Sequence, residues 1–244
     1  MAKALKEWIA SDVRRARKLS PRVLSEQYFF RDPLRPVFAD SSYFFSPADG
    51  VILYQRELAP TEKLVEIKGR VYSLTEALRD DSFDQTCLVI GIFMTLYDPH
   101  INRVPFSGTL SYDLLPTIET HNWPMLATEE DLLRGHLAVL DDADYLFNNQ
   151  RMLNRVYASG LGLTYYMLQI ADYDVTAILP FETRQNRHYA QNQRFSQVRF
   201  GSQLDLIIPL SPRWKFETLL PDETHIEAGL DPLVRIIQQS EYDR

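Results

Sequence analysis

Two adjacent residues, Gly201 and Ser202, carry the first chemical question in the chain. They interrupt the alternating stretch Phe195-Ser196-Gln197-Val198-Arg199-Phe200-Gly201-Ser202-Gln203-Leu204-Asp205-Leu206. Val198 and Phe200 precede the pair, and Leu204, Leu206 and Ile208 follow it. A period of two is the pattern of a half-buried strand, so Gly-Ser sits at a break between two strand segments. Glycine reaches backbone conformations that other residues avoid, which lets its carbonyl turn toward the next hydroxyl. A serine so placed can attack the peptide bond on its own N-terminal side. An ordinary Gly-Ser turn is the competing reading, and an unactivated serine needs a base and a group that orients the base.

Groups of the right type occur elsewhere. The run from Leu88 to Leu96 is apolar except for Thr95, the mark of a strand covered on both faces. It leads into Tyr97-Asp98-Pro99-His100-Ile101-Asn102-Arg103-Val104-Pro105, which sets His100, Asn102 and Arg103 in a proline-bracketed loop. Polar groups delivered to a loop by a rigid element often form sites; a structural histidine is the alternative. Asp49, in Ser46-Pro47-Ala48-Asp49-Gly50, is explained equally well by turn chemistry. No phosphate-cradling glycine loop is present, since Gly160-Leu161-Gly162 lacks the spacing of a dinucleotide site. His121, His136, His188 and His225 form no zinc-type spacing with one another or with Cys87, so no metal is expected.

The elements that must position these groups read mainly as strands. Val65 to Leu74 and Leu163 to Ile170 are strand-like, and Val175 to Leu179 continues the sheet. A short helix is expected from Thr75 to about Arg79, an extended segment over Tyr28-Pro36, and a polar loop over Thr183-Gln193. Residues 113–148 are acidic and carry no clear period. Near the start, Leu5, Trp8, Ile9, Val13 and Ala16 share one helical face. Such a helix lies on lipid or covers the core of the protein, and the second is the commoner use.

Composition narrows the partners. The net charge of −7 divides unevenly: residues 1–22 hold seven basic and two acidic side chains, a balance of +5, which leaves −12 for the rest. An acidic body argues against nucleic acid as a partner. No apolar run approaches the ~18 residues needed to span a bilayer, and the first residues lack a signal-peptide core. The single cysteine, Cys87, excludes an internal disulfide and suits a reducing cytosol.

Taken in order, several segments resemble the phosphatidylserine decarboxylase family of pyruvoyl-dependent proenzymes, in its shorter branch. They are Phe29-Phe30-Arg31-Asp32-Pro33, Ser46-Pro47-Ala48-Asp49-Gly50, Ile67-Lys68-Gly69 with Tyr72-Ser73-Leu74, and Asp98-Pro99-His100-Ile101-Asn102-Arg103-Val104-Pro105. Asn149-Gln150-Arg151, Arg194 to Ser202 and Glu227-Ala228-Gly229 follow. The resemblance implies a mainly β (α+β) fold, with packed sheets around a self-cleavage site, a few peripheral helices and the N-terminal amphipathic helix. It implies a catalytic domain over 27–244, cut into chains 1–201 and 202–244, while the basic helix read from the residues makes an N-terminal arm over 1–26.

By the same resemblance, Ser202 attacks the Gly201 carbonyl, and elimination and loss of ammonia leave a covalent pyruvoyl group derived from Ser202. His100 and Asp49 are the implied base and orienting group, and Arg103, Asn102 and Phe200 the substrate-facing residues. The pyruvoyl ketone forms a Schiff base with the substrate amine and accepts the electrons released as carbon dioxide leaves, and His100 returns a proton. The expected substrate is phosphatidylserine or a related serine phospholipid; a soluble amino acid, or an uncleaved scaffold, are the alternatives. A cytoplasmic protein with peripheral membrane contact through residues 1–22 is implied, and a homo-oligomer is open.

The chain departs from the family pattern at several places. Arg103 stands where the longer branch has a second histidine, and Gln203 where an arginine often follows Gly-Ser. Asp172-Tyr173-Asp174 replaces an expected arginine pair, and the apolar N-terminal segments of many members give way to the charged helix.

Overall fold

In the computed structural model the strand Ser202–Pro209 runs through the middle of a nine-stranded antiparallel sheet. The structure describes residues 1–36, 39–67, 70–115, 117–118, 123–136, 140, 143–172, 178–199 and 202–239. Across the sheet the strands are Lys3–Ala4, Thr224–Ile226, Gly50–Leu58, Cys87–Met94, Ser202–Pro209, Leu163–Ala171, Arg151–Ala158, Gly108–Leu115 and Arg187–Tyr189. The central strand pairs with Cys87–Met94, with Ser202 opposite Met94, and with Leu163–Ala171, with Ser202 opposite Ala171.

Both faces of this sheet are covered, which explains why Cys87–Met94 is apolar without alternation and wholly buried. On one face Ile90, Ile92, Met94, Leu204, Leu206 and Ile208 pack with side chains from two smaller sheets. One of these sheets is Ile178–Pro180, Arg194–Val198 and Ile101–Arg103; the other is Trp214–Thr218, Pro232–Gln238 and Tyr43–Phe45. On the other face Val89, Phe93, Leu168, Ile170 and Ile207 meet Leu5, Trp8, Val13, Leu74, Leu132 and Tyr145 from the helices. The chain is therefore mainly β with peripheral helices.

The N-terminal segment is helical over Leu5–Trp8, Ile9–Val13 and Arg14–Ala16, with a wider π turn in the middle. Leu5, Trp8, Val13 and Ala16 are buried against the body, so the apolar stripe is used for packing. Ser73 caps the helix Leu74–Leu78 by accepting from the Glu76 N–H, and Arg79 ends it at φ 51°. The expected extended segment begins only after a second π turn, Leu24–Tyr28. The acidic stretch holds the helices Leu126–Leu133 and Tyr145–Asn148, and the expected polar loop contains the short strand Arg187–Tyr189. The expected strand from Val175 falls largely on 173–177, outside the described residues, with Ile178–Pro180 following it. Among the described residues no helix is long and apolar enough to cross a membrane.

Gly91 marks a close approach within the sheet. A Cβ there would lie 2.3 Å from the Tyr54 ring, whose hydroxyl is fixed on Asp205. Gly91→Ala is expected to lower unfolding free energy by about 1–3 kcal/mol through overpacking. Urea denaturation checks this, and an unchanged midpoint would count against the close ring contact.

Candidate active site

Arg194–Val198 and Ser202–Pro209 belong to different sheets, so the chain crosses from one to the other between Val198 and Ser202. Phe200 and Gly201 lie outside the described residues. Ser202 opens the central strand completely buried, its hydroxyl 3.7 Å from the Met94 sulfur. Alternation puts it on the same face as Leu204 and Leu206.

A connected polar network surrounds Met94. Asn102 Nδ2 approaches the Met94 sulfur at 3.4 Å, and Asn102 Oδ1 accepts from Gln169 Nε2 at 2.6 Å. The same Gln169 nitrogen reaches the Ser196 hydroxyl at 2.6 Å, and Gln169 Oε1 accepts from Asn154 Nδ2 at 3.0 Å. All four residues are buried, so their hydrogen bonds replace those lost to water. Gln203, on the opposite face, is held by Tyr54, Asp205 and Tyr145. The residue that replaces the family's arginine therefore points away from the serine.

His100 is fully buried. Its main-chain carbonyl accepts from Val198 N–H at 3.0 Å, which ties it to the strand that precedes the sheet crossing. Phe29 stacks on the ring at 4.2 Å. Nδ1 lies 2.9 Å from the Asp98 carbonyl, an acceptor only, so Nδ1 carries the hydrogen. Nε2 then holds a lone pair, and it makes no hydrogen bond among the described residues. Burial pushes the imidazole down to about 4, against the pull of Asp98 and the nearby Met94 main chain. The ring is neutral at pH 7 and able to accept a proton.

Asp49 is buried and tied to Arg35 and Ala228. Its carboxylate is gripped by both terminal nitrogens of Arg35 and by the Ala228 N–H, and Arg35 also bonds the Ala228 carbonyl. Burial raises the Asp49 carboxyl, and Arg35 opposes that rise. Arg103 donates to the Asn192 carbonyl at 3.0 Å and lies 3.8 Å from Asp32. Its stem packs where Gly229, at φ 71°, leaves room: a Cβ there would be 2.9 Å from Arg103 Cδ. Its guanidinium is thus engaged with protein groups.

Sequence reasoning missed several members. Asp98 binds the His225 ring at 2.7 Å, and Trp8 stacks on that ring at 4.3 Å. Glu129, on Leu126–Leu133, accepts from the Leu96 N–H at 3.0 Å. Asp172 follows the partner of Ser202 and accepts from Met125 N–H at 2.8 Å. No local pattern marks these residues, because their partners are distant in sequence. Among the described residues no group of His, Cys, Asp and Glu is arranged to hold a metal ion.

The described residues thus hold a buried serine at the start of a central strand and a buried imidazole whose outer nitrogen has no hydrogen-bond partner, a candidate serine site on a β scaffold. The profile of one family, phosphatidylserine decarboxylase, matches residues 26–232. The chain belongs to that family of carboxy-lyases. Its relatives include the phosphatidylserine decarboxylase proenzyme of Erythrobacter litoralis, 30% identical over 182 residues, covering 74% of this chain and 62% of that protein. The proenzyme of Novosphingobium aromaticivorans is 28% identical over 215 residues, covering 86% and 75%. That of Ralstonia nicotianae is 28% identical over 185 residues, covering 76% and 68%.

Burial raises the Glu129 carboxyl from 4.5 to about 7, helped by Asp98 and Asp172 and opposed by the Leu96 N–H. A raised carboxyl binds its proton more tightly in the folded state, so this stabilisation is present below pH 4.5 and is lost as pH rises through 7. Relative to Glu129→Gln, the protein should lose on the order of 2–3 kcal/mol between pH 4.5 and 8. Denaturant titrations at both pH values test this; parallel pH dependence of the two proteins would refute it.

Proposed function

We propose that this chain cuts itself between Gly201 and Ser202 and then decarboxylates phosphatidylserine or a related serine phospholipid. The observation that carries the reading is the buried His100 ring, with Nε2 unpartnered, next to the main chain of Met94, the residue paired with Ser202. In the cutting step Nε2 takes the Ser202 hydroxyl proton as the oxygen attacks the Gly201 carbonyl. The peptide C–N bond breaks and an ester forms. Loss of the proton at the serine Cα then expels the Gly201 carboxylate, and water releases ammonia to leave a pyruvoyl end.

The fit of that group rests on two features: Ser202 is buried where the chain crosses sheets, and the imidazole with the unpartnered nitrogen lies by the main chain of Met94, the residue paired with Ser202. Once formed, the pyruvoyl group supplies a carbonyl able to hold a substrate amine and to accept electrons as carbon dioxide departs. The protein's part is to keep water out through the core packing of Met94, Leu204 and Leu206 and to hand a proton back from His100. Asn102 is kept in orientation by Gln169, and Asp49 with Arg35 ties the Ser46–Gly50 turn to Ala228. Asp49 supports the site's frame in this reading.

A lipid substrate is favoured over a soluble amino acid by an apolar cavity of about 350 Å³ reached from His100 through Phe29. It is lined by Pro21, Leu24, Ser25, Phe29, Leu96 and Tyr97. Phe29 forms its wall and stacks on the imidazole from the other side. Arg14, Arg15, Arg17, Lys18 and Arg22 are exposed on the adjoining segment and suit an anionic surface. Since the apolar stripe of this segment is packed on the body, peripheral contact through residues 1–22 is electrostatic.

Purified protein run on a denaturing gel should show fragments of 201 and 43 residues. These should stay together on gel filtration without denaturant, because the smaller one supplies the central strand. Ser202→Ala should remain one band, and His100→Ala should cut about 100-fold more slowly or worse. Carbon dioxide release should be seen with phosphatidylserine vesicles and be absent with free serine. An uncut wild-type chain would overturn the enzymatic reading, and turnover of free serine alone would overturn the lipid one.

A further inference from the structure

We propose that His225 is a positioning residue for His100, acting through Asp98; the proposal rests on the reading of His100 as the base. The two histidines are 125 positions apart, and no sequence pattern joins them. His225 stands on the short strand Thr224–Ile226, opposite Lys3 on one side and Val51 on the other. Its ring reaches Asp98 Oδ1 at 2.7 Å, and both side chains are buried, at 7% and 2% exposure.

Asp98 has its polar atoms committed in several directions. Oδ2 accepts from the Thr95 N–H at 3.0 Å and from the Thr95 hydroxyl at 2.8 Å. The Asp98 N–H donates to the Thr95 carbonyl at 3.0 Å, closing a tight turn. Oδ1 accepts from His225, and the main-chain carbonyl accepts from His100 Nδ1 at 2.9 Å. The carboxylate is therefore clamped from both sides, and the carbonyl that fixes the His100 tautomer belongs to the clamped residue. Burial alone would raise the Asp98 carboxyl, yet His225 and Thr95 bring it below the ordinary range.

Without the His225 donor, Oδ1 becomes a buried anion short of a partner. Such a group turns toward water or takes up a proton. Either response shifts the Thr95–Asp98 turn and the carbonyl that holds Nδ1. The His100 ring keeps its Phe29 stack but loses its anchor, and Nε2–H becomes accessible, which removes the lone pair needed for proton transfer. His225 also lies C-terminal to Ser202, so in a cut protein it would join the small fragment to the loop that carries His100.

The ring of His225 makes two contacts, and two substitutions separate them. His225→Phe keeps an aromatic face for Trp8 and removes the hydrogen-bond donor; His225→Gln keeps a donor near the place of Nε2 and loses the stack. The rate at which the 43-residue fragment appears should fall about tenfold or more in the Phe variant, since a shift of about 1 Å in a reacting group costs up to 100-fold. The Gln variant should stay within about threefold of wild type. The reverse order would assign His225 a packing role and overturn the proposal.

A second readout does not need cutting. In a Ser202→Ala background, nitrogen-15 spectra of the His100 ring should report the Nδ1–H tautomer, also with His225→Gln, and a mixture or the Nε2–H form with His225→Phe. An unchanged tautomer in the Phe variant overturns the proposal even if wild type proves never to cut. Should His225→Phe fail to fold, Asp98→Asn makes the same test, because an amide cannot accept from both Thr95 and His225. The same loss is then expected, and a wild-type tautomer in that variant would refute the link.

Discussion

The structure depends on one pairing, that of Ser202–Pro209 with Cys87–Met94 on one side and Leu163–Ala171 on the other. A central strand has no free edge, so its first residue is taken out of water together with its last. That forces a polar serine into a closed position, where it must find partners or be used. The neighbours answer this constraint: Met94 is opposite in register, and Asn102, Gln169, Ser196 and Asn154 are hydrogen-bonded to one another around it. The same face is apolar from Leu204 onward, so Ser202 is the one polar step in an apolar row.

Charge is handled by pairing within this dry interior. Arg35 and Asp49 form a two-toothed contact that also takes both main-chain groups of Ala228. Asp98 and His225 form a second pair, stacked by Trp8. Each pair joins a segment before the sheet crossing to one after it. Buried pairs add little net stability against apolar packing, but losing one partner is costly. They therefore act mainly as alignment devices. Glu129 and Asp172 are the exceptions: burial raises both, Asp172 to about 6, without an opposing cation among the causes.

Much of this could be read in advance where the signal was local. The apolar run ending at Met94 reported a strand covered on both faces, and the alternation around Ser202 reported two strands with a break. The N-terminal stripe of Leu5, Trp8, Val13 and Ala16 reported a helix, and packing spent that stripe on the body. Elsewhere the signal was weak. In the described part of residues 113–148 the helices Leu126–Leu133 and Tyr145–Asn148 are too short to show a period, and Arg187–Tyr189 is too short to stand out from its polar surroundings. The resemblance located Asp49 and Arg103 as members of motifs but could not say what they touch. Both proved to be engaged by other protein groups, because motif membership records position in the chain rather than contact.

The sequence alone determined the strands, their apolar faces and the serine at the break, since periodicity follows from backbone geometry and needs no distant partner. It also determined the family, through motifs in a preserved order. Only the tertiary structure decided which nitrogen of His100 is free, that Asp49 answers to Arg35, and that His225 reaches Asp98. Those outcomes depend on side chains placed by the fold, in the case of His225 and Asp98 across 127 positions, and on the removal of water that makes each unshared lone pair or charge costly. Neither effect leaves a trace in local spacing.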